Sequence, residues 1–281
     1  MSEKLSSHLS ILSEALIGEL VLLAERAGQD ILAFYEDGAS WQAKSDSSPL
    51  TAADLASHQR ILQGLRALTP HLPVLSEESD SVDSLERRLW PSFWLVDPLD
   101  GTKEFLQKNG EFTVNIALIV GQYPAFGIVH QPTQGLSYVG HSGQGAFRID
   151  KNHVRTPIQV QATVSDPLRV LGSRSHPAPD LDGYLEQQGP LVLEPVGSSL
   201  KFCRVAEGRA DLYPRFGPTS EWDTAAGQAV LEAAGGRVLD LHGARLRYNH
   251  KDSVLNPYFL AFGDLGRDWM PRQHKSFSVS P

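Results

Sequence analysis

One cysteine, Cys203, is present among 281 residues, so no intrachain disulfide framework can form, and a reducing compartment is the natural expectation. Basic residues are in deficit. Lys plus Arg number 25 against 33 Asp plus Glu, a formal net charge of −8, which disfavours nonspecific binding to long nucleic acids, since that needs a basic stripe. Long apolar runs are missing too. From Leu9 to Ala33 the apolar residues are broken by Ser10, Ser13, Glu14, Glu19, Glu25 and Arg26, a pattern of neither a signal peptide nor a membrane span. No repeat and no low-complexity tract occurs, and no Gly-x-Gly-x-x-Gly follows a predicted strand, so a dinucleotide-dependent dehydrogenase lacks support. Cytoplasmic residence is the expectation, free or at the inner face of the membrane.

Hydrophobic residues at 41% and charged residues at 21% describe an ordinary globular balance. The length suits one large domain or two closely packed ones. Apolar residues at helical spacing from Ile11 to Tyr35 predict a long first helix of about 25 residues, ending near Asp37-Gly38. A polar loop is expected from Ala39 to Pro49. Thr51 then reads as the N-cap of a second helix over Ala52 to Leu68. The runs Phe112–Val120, Ala125–His130, Gly135–Val139 and Gly145–Ile149, punctuated by turns, predict a largely antiparallel meander. The pattern weakens over Asn152 to Thr163, which sets an expected division into domains 1–155 and 156–281. Beyond it, strands and helices alternate as in layered α/β structure, with a helix over Thr224–Ala234 and a last strand over Tyr258–Phe262.

Four segments place acids at the ends of these elements: Thr51-Ala52-Ala53-Asp54, Ser76-Glu77-Glu78, Asp97-Pro98-Leu99-Asp100-Gly101-Thr102, and Glu221-Trp222-Asp223. The third is the most informative. An apolar strand, Phe93 to Val96, delivers Asp97 to a sheet edge. Pro98 forces a turn, and Gly101 permits backbone that other residues resist. Asp97, Asp100 and the Leu99 carbonyl can then share one space. Clustered carboxylates repel unless a cation lies among them, and an all-oxygen donor set selects a hard ion such as Mg²⁺. Each acid also has a plainer reading. Asp54 can close a capping box with Thr51, Glu77 and Glu78 can sit on a solvated loop, and Asp223 can be a helix N-cap or first-turn acid.

Read together, LSEES (75–79), DPLDGT (97–102) and WDTAAG (222–227) resemble the inositol monophosphatase superfamily, in order and spacing, over nearly the whole chain. Within it, DPLDGTKEF (97–105), GEFTVNIALI (110–119), the 196–227 stretch and YNHKDSVLNPYF (248–259) are most similar to the 3′(2′),5′-bisphosphate nucleotidase branch of CysQ type. The resemblance implies a layered αβαβα sandwich of mixed α/β class, with the active site between its two parts. It implies a lithium-sensitive, Mg²⁺-dependent phosphatase acting on a small phosphorylated metabolite, with adenosine 3′,5′-bisphosphate converted to AMP and phosphate. An inositol or other sugar-phosphate phosphatase on the same scaffold is the near alternative, and a non-catalytic nucleotide or metal sensor is the alternative of another class.

The same resemblance assigns roles. Glu77, Asp97 and the Leu99 carbonyl would hold one Mg²⁺, and Asp97, Asp100 and Asp223 a second, with Asp54 assisting a weaker third. Asp54 and Thr102 would orient the attacking water. Glu77, Leu99, Asp100, Gly101, Thr102 and Asp223 would also face the substrate phosphate. GSRSH (172–176) and GSSLK (197–201) offer Ser173, His176, Gly197 and Lys201 as nucleotide contacts, with Arg174 as added charge. The plainer reading makes Gly197 to Lys201 a helix start and His176 a surface loop residue. His130, His141, His242 and His250 read as structural or surface residues, Trp222 and Phe105 as packing, and Cys203 as a buried apolar residue. The oligomeric state is not fixed by the sequence.

Overall fold

A computed structural model describes residues 12–37, 41–43, 49–79, 82–174 and 179–271. The first part runs α1 (Glu14–Asp37), β1 (Trp41–Ala43), β2 (Pro49–Thr51), α2 (Ala52–Leu68), β3 (Val74–Ser76), α3 (Ser84–Arg87), β4 (Ser92–Asp100), α4 (Thr102–Leu106), β5 (Thr113–Val120), β6 (Tyr123–Gln131), β7 (Leu136–His141), β8 (Gly145–Ile149) and β9 (Arg155–Ile158). The second runs β10 (Leu168–Ser173), α5 (Pro179–Leu185), β11 (Leu191–Val196), α6 (Leu200–Ala206), β12 (Leu212–Arg215), α7 (Glu221–Ala233), β13 (Arg237–Asp240) and β14 (Phe259–Phe262).

Strands β3 to β9 form a seven-stranded sheet in sequence order, antiparallel except for the β3–β4 pair. The second sheet has five strands in the order β11-β10-β12-β14-β13, parallel at one end and antiparallel at the other. Strand alternation explains the layering. In β4, Trp94 and Val96 face an apolar core shared with α1 and α2, while Phe93 and Leu95 face a core shared with α6, α7 and the second sheet. The outer face of that second sheet packs Val170, Leu212 and Leu260 against Tyr184 of α5 and Trp269. The result is the αβαβα sandwich.

Helix α7 is the central piece of the middle layer. It lies so close to the first sheet that a Cβ on Gly127 of β6 would come within 2.6 Å of the Ala226 carbonyl oxygen. Gly140 of β7 meets the Ala229 and Val230 backbone in the same way. Two glycines thus let the helix that carries Asp223 approach the sheet that carries Asp97.

Two features depart from the sequence reading. Where a polar loop was expected, Trp41–Ala43 pairs antiparallel with Pro49–Thr51; three-residue strands carry too little alternation to be seen in a sequence window. The polar stretch expected to hold the boundary contains β9, whose Arg155–Ile158 pairs with β8 as an edge strand of the first sheet. Its residues are largely exposed, so it lacks the apolar signature of an inner strand. Among the described residues, no helix is long and apolar enough to cross a membrane.

Candidate active site

Alternation along β4 places Asp97 on the face of Phe93 and Leu95, beneath α7. The β4–β5 register shifts between Asp97 and Asp100, where Pro98 cannot donate to the ladder. The bulge is tied locally. Leu99 N donates to Asp97 Oδ1 at 3.0 Å, Ser57 Oγ donates to Pro98 O at 2.8 Å, and Thr102 Oγ1 donates to Leu99 O at 3.4 Å. Gly101 then takes φ +89°, the left-handed conformation that starts α4 at Thr102.

Three acids from three elements meet here. Ligand oxygens of Glu77, just after β3, Asp97 on β4 and Asp223 in the first turn of α7 lie within 4.8 Å of one another. Glu77 is carried by its N–H, which donates to Val96 O at 3.1 Å. Asp223 closes a capping box: its Oδ2 accepts from Ser220 N at 2.8 Å. Burial pushes the Asp97 carboxyl well above the usual carboxylate range, and repulsion from Glu77, Asp100, Asp223 and Asp54 adds to it. Asp223 is pushed up by burial and then by Asp100 and Glu77. Asp54, buried in the first turn of α2, is thus within electrostatic reach of Asp97.

Asp100 stands at the same cleft but is held differently. Its Oδ2 accepts from Ser199 N at 2.5 Å and from the Thr113 and Asn115 side chains at 3.4 Å each. Burial raises its pKa, with Lys201 the largest opposing influence. Glu77, Asp100, Gly101, Thr102, Ser173, Lys201 and Asp223 all line one cleft of about 290 Å³, together with Arg215.

The expected recognition residues divide. Ser173 and Lys201 reach the cleft wall. The buried Lys201 Nζ donates to the Val196 and Ser198 carbonyls at 3.0 and 2.6 Å, and burial lowers its pKa to about 8. Gly197 and Arg174 turn elsewhere. Gly197 N donates to Glu111 Oε2 at 2.7 Å, and Arg174 makes two hydrogen bonds to the same carboxylate, at 2.9 and 3.0 Å. His176 lies outside the described residues, as does the Thr51 side chain. Of the remaining residues, Cys203 is fully buried with its thiol pushed up by burial, and His130 is buried with Nδ1 against Ser137 Oγ at 2.8 Å.

Sequence reasoning missed Arg215. It ends β12, is nearly buried, and donates through Nη2 to Pro218 O at 2.7 Å. Among the described residues its buried Nε has no hydrogen-bond partner, which is costly unless an acceptor visits the cleft. The available signal was a polar residue directly after an apolar strand, the same signal that exposed Asp97.

An oxygen-only donor set with carboxylates forced together fits a hard divalent cation: the repulsion that raises their pKa values is what a bound cation would relieve. Comparison with known proteins gives the family. The profile described as "Inositol monophosphatase family" matches residues 13–268. The chain is 49% identical over 247 residues to 3′(2′),5′-bisphosphate nucleotidase CysQ of Salmonella typhimurium, covering 87% of this chain and 98% of that protein. It is 49% identical over 246 residues to the protein of the same name from Escherichia coli strain K12, with the same coverage. The crystal structure of CysQ from Bacteroides thetaiotaomicron superposes with a TM-score of 0.76 at 39% identity, covering 88% of this chain and 95% of that one. The fold is also that of the protein suhB from Bartonella henselae, with a TM-score of 0.72 at 24% identity over 90% of this chain and 95% of that one. By the profile match and these relatives, the chain belongs to the inositol monophosphatase family.

Proposed function

We propose that the protein hydrolyses the 3′-phosphate of adenosine 3′,5′-bisphosphate, giving AMP and phosphate, with two Mg²⁺ ions held among Glu77, Asp97, Asp100, Asp223 and the Leu99 carbonyl. The observation that carries the reading is one cleft lined both by acids and by two buried cations, Lys201 and Arg215. A substrate with two phosphates can set one against the acids that hold the metal and the other against these cations. Relatives at 49% identity that carry the bisphosphate nucleotidase name support the nucleotide.

Bound magnesium supplies Lewis acidity toward phosphoryl oxygens and lowers the pKa of water. The chain's own groups do the rest. Thr102 Oγ1, 3.4 Å from Leu99 O, and the buried carboxylate of Asp54 orient the water for in-line attack. Gly101 takes the φ of +89° from which α4 starts at Thr102, so the N–H groups of Gly101 and Thr102 can meet the phosphate. Lys201 and Arg215 receive the phosphate that does not react. A lysine with a pKa of about 8 is still mostly protonated at neutral pH, and the Arg215 guanidinium offers a planar fork of donors that suits a phosphate. We place the enzyme in the cytoplasm, on its single cysteine, and divide it into two domains after β9.

The test is competitive turnover of adenosine 3′,5′-bisphosphate and inositol 1-phosphate by purified protein with saturating Mg²⁺. The expected result is a kcat/KM for the nucleotide at least about a hundredfold higher, the value of one well-made charged contact. Equal or reversed preference would overturn the nucleotidase reading, and background phosphate release from both would favour a sensor.

A further inference from the structure

The direction of the Asp223 carboxylate is set by the backbone it caps. Its Oδ2 accepts from Ser220 N at 2.8 Å, so any movement of the Ser220 peptide swings the acid. The two peptide groups that meet at Ser220, one carrying its N–H and the other its carbonyl, are held from behind by residues 248–256, a segment with no regular secondary structure. Asn256 Nδ2 donates to Ser220 O at 2.7 Å and to Thr224 Oγ1 at 3.0 Å. Asn256 N donates to Thr219 O, and Glu221 N donates to Val254 O, both at 2.8 Å. The segment is itself fixed. Fully buried Glu221 accepts from Asn249 N at 2.8 Å and from Lys251 Nζ at 3.1 Å. Arg87 of α3 donates to Asn249 Oδ1 at 2.6 Å and to the Lys251 and Asp252 carbonyls.

Asn256 is unusual in this clasp. Its amide donors are both used, while among the described residues its buried Oδ1 has no partner. A buried amide with an unmet acceptor costs stability relative to an apolar residue of similar shape. What the position gains is therefore the donor half, and that half grips the two residues flanking the first turn of α7.

We propose that Asn256 is a positioning residue that aims Asp223 into the acid cluster and thereby sets the affinity for the divalent cation. The inference rests on the metal reading of Asp223 given above. Asn256 lies outside the lining of the cleft; it acts through the Ser220 carbonyl and Thr224.

The test is calorimetric titration of metal-free protein with Mn²⁺, without substrate, for the native chain, Asn256→Ala, Asp223→Ala and the double variant. Asn256→Leu, of similar volume and without donors, serves in place of Asn256→Ala should the latter not fold. The expected result is a Kd weakened about tenfold or more by Asn256→Ala, in the range for groups behind metal ligands. In the Asp223→Ala background the same change should have no further effect. A merely structural role would lower the melting temperature without this dependence on Asp223. A loss of equal size in both backgrounds, or no loss in the native background, overturns the positioning role while leaving the metal site standing. An unchanged Kd in Asp223→Ala removes the metal reading itself, and the inference with it.

Discussion

Two sets of residues in the cleft are built by different means. In the acidic set, Glu77 directly follows β3, Asp97 lies three residues before the end of β4 and Asp223 is the third residue of α7, and their oxygens meet within 4.8 Å. In the recognition set, Ser173 ends β10, Gly197 directly follows β11 and Lys201 lies in the first turn of α6. Glu111 takes both Gly197 N and Arg174, which no local pattern announces. The acids are set by the convergence of three elements; Gly197 and Arg174 are set by long-range hydrogen bonds to Glu111.

The largest expected effect comes from breaking the acidic set. Asp97→Asn should lower kcat about a thousandfold, equivalent to about 4 kcal/mol of transition-state stabilisation. The same change should stabilise the protein in chelator. The folded pKa of Asp97 is raised well above the ordinary carboxylate value, so its favourable contribution belongs to low pH and is lost as pH rises above about 4. At neutral pH without metal the uncharged Asn variant should melt at least about 2 °C above the native chain, and Mg²⁺ should abolish or reverse that difference.

The recognition set is sharpened by two arginines. Arg215→Ala should raise KM for the bisphosphate about ten- to a hundredfold, the value of a charged hydrogen bond, with little change for a substrate carrying one phosphate. Arg174→Ala should change KM less than about threefold, because this side chain already spends its fork on an exposed pair with Glu111. Equal effects from both variants would erase the distinction drawn between them.

The last effect is on acid stability, away from the cleft. Burial lowers the His130 pKa to about 4. Its contribution is present above the unfolded value near 6.5 and is lost as pH falls through about 4, on the order of 3 kcal/mol at full protonation. Denaturant midpoints measured from pH 7 to 4 should therefore fall more steeply for the native chain than for His130→Gln.

Much of the fold was legible because its signals are local. The periodicity of residues 11–35 announced α1, and the runs between 112 and 149 announced four strands. The start of α7 was read three residues late, since Ser220 caps a turn whose first members are Glu221 and Trp222, neither of which looks helical by apolar spacing. β9 escaped because an exposed edge strand carries no apolar face. In the site, the acids stood out because carboxylates after apolar strands are expensive unless used. Glu111 and Asn256 escaped because each is a single polar residue whose partners lie 86 and 36 positions away, so nothing around it in sequence states its role.

The account depends on Glu77, Asp97 and Asp223 holding divalent cations together. A crystal soaked in Mn²⁺ and measured at the manganese edge tests this most directly. Anomalous peaks within coordination distance of all three carboxylates, with Asp97 shared between two, are the predicted result. Peaks only at surface acids, with the three carboxylates unliganded at saturating Mn²⁺, would contradict it.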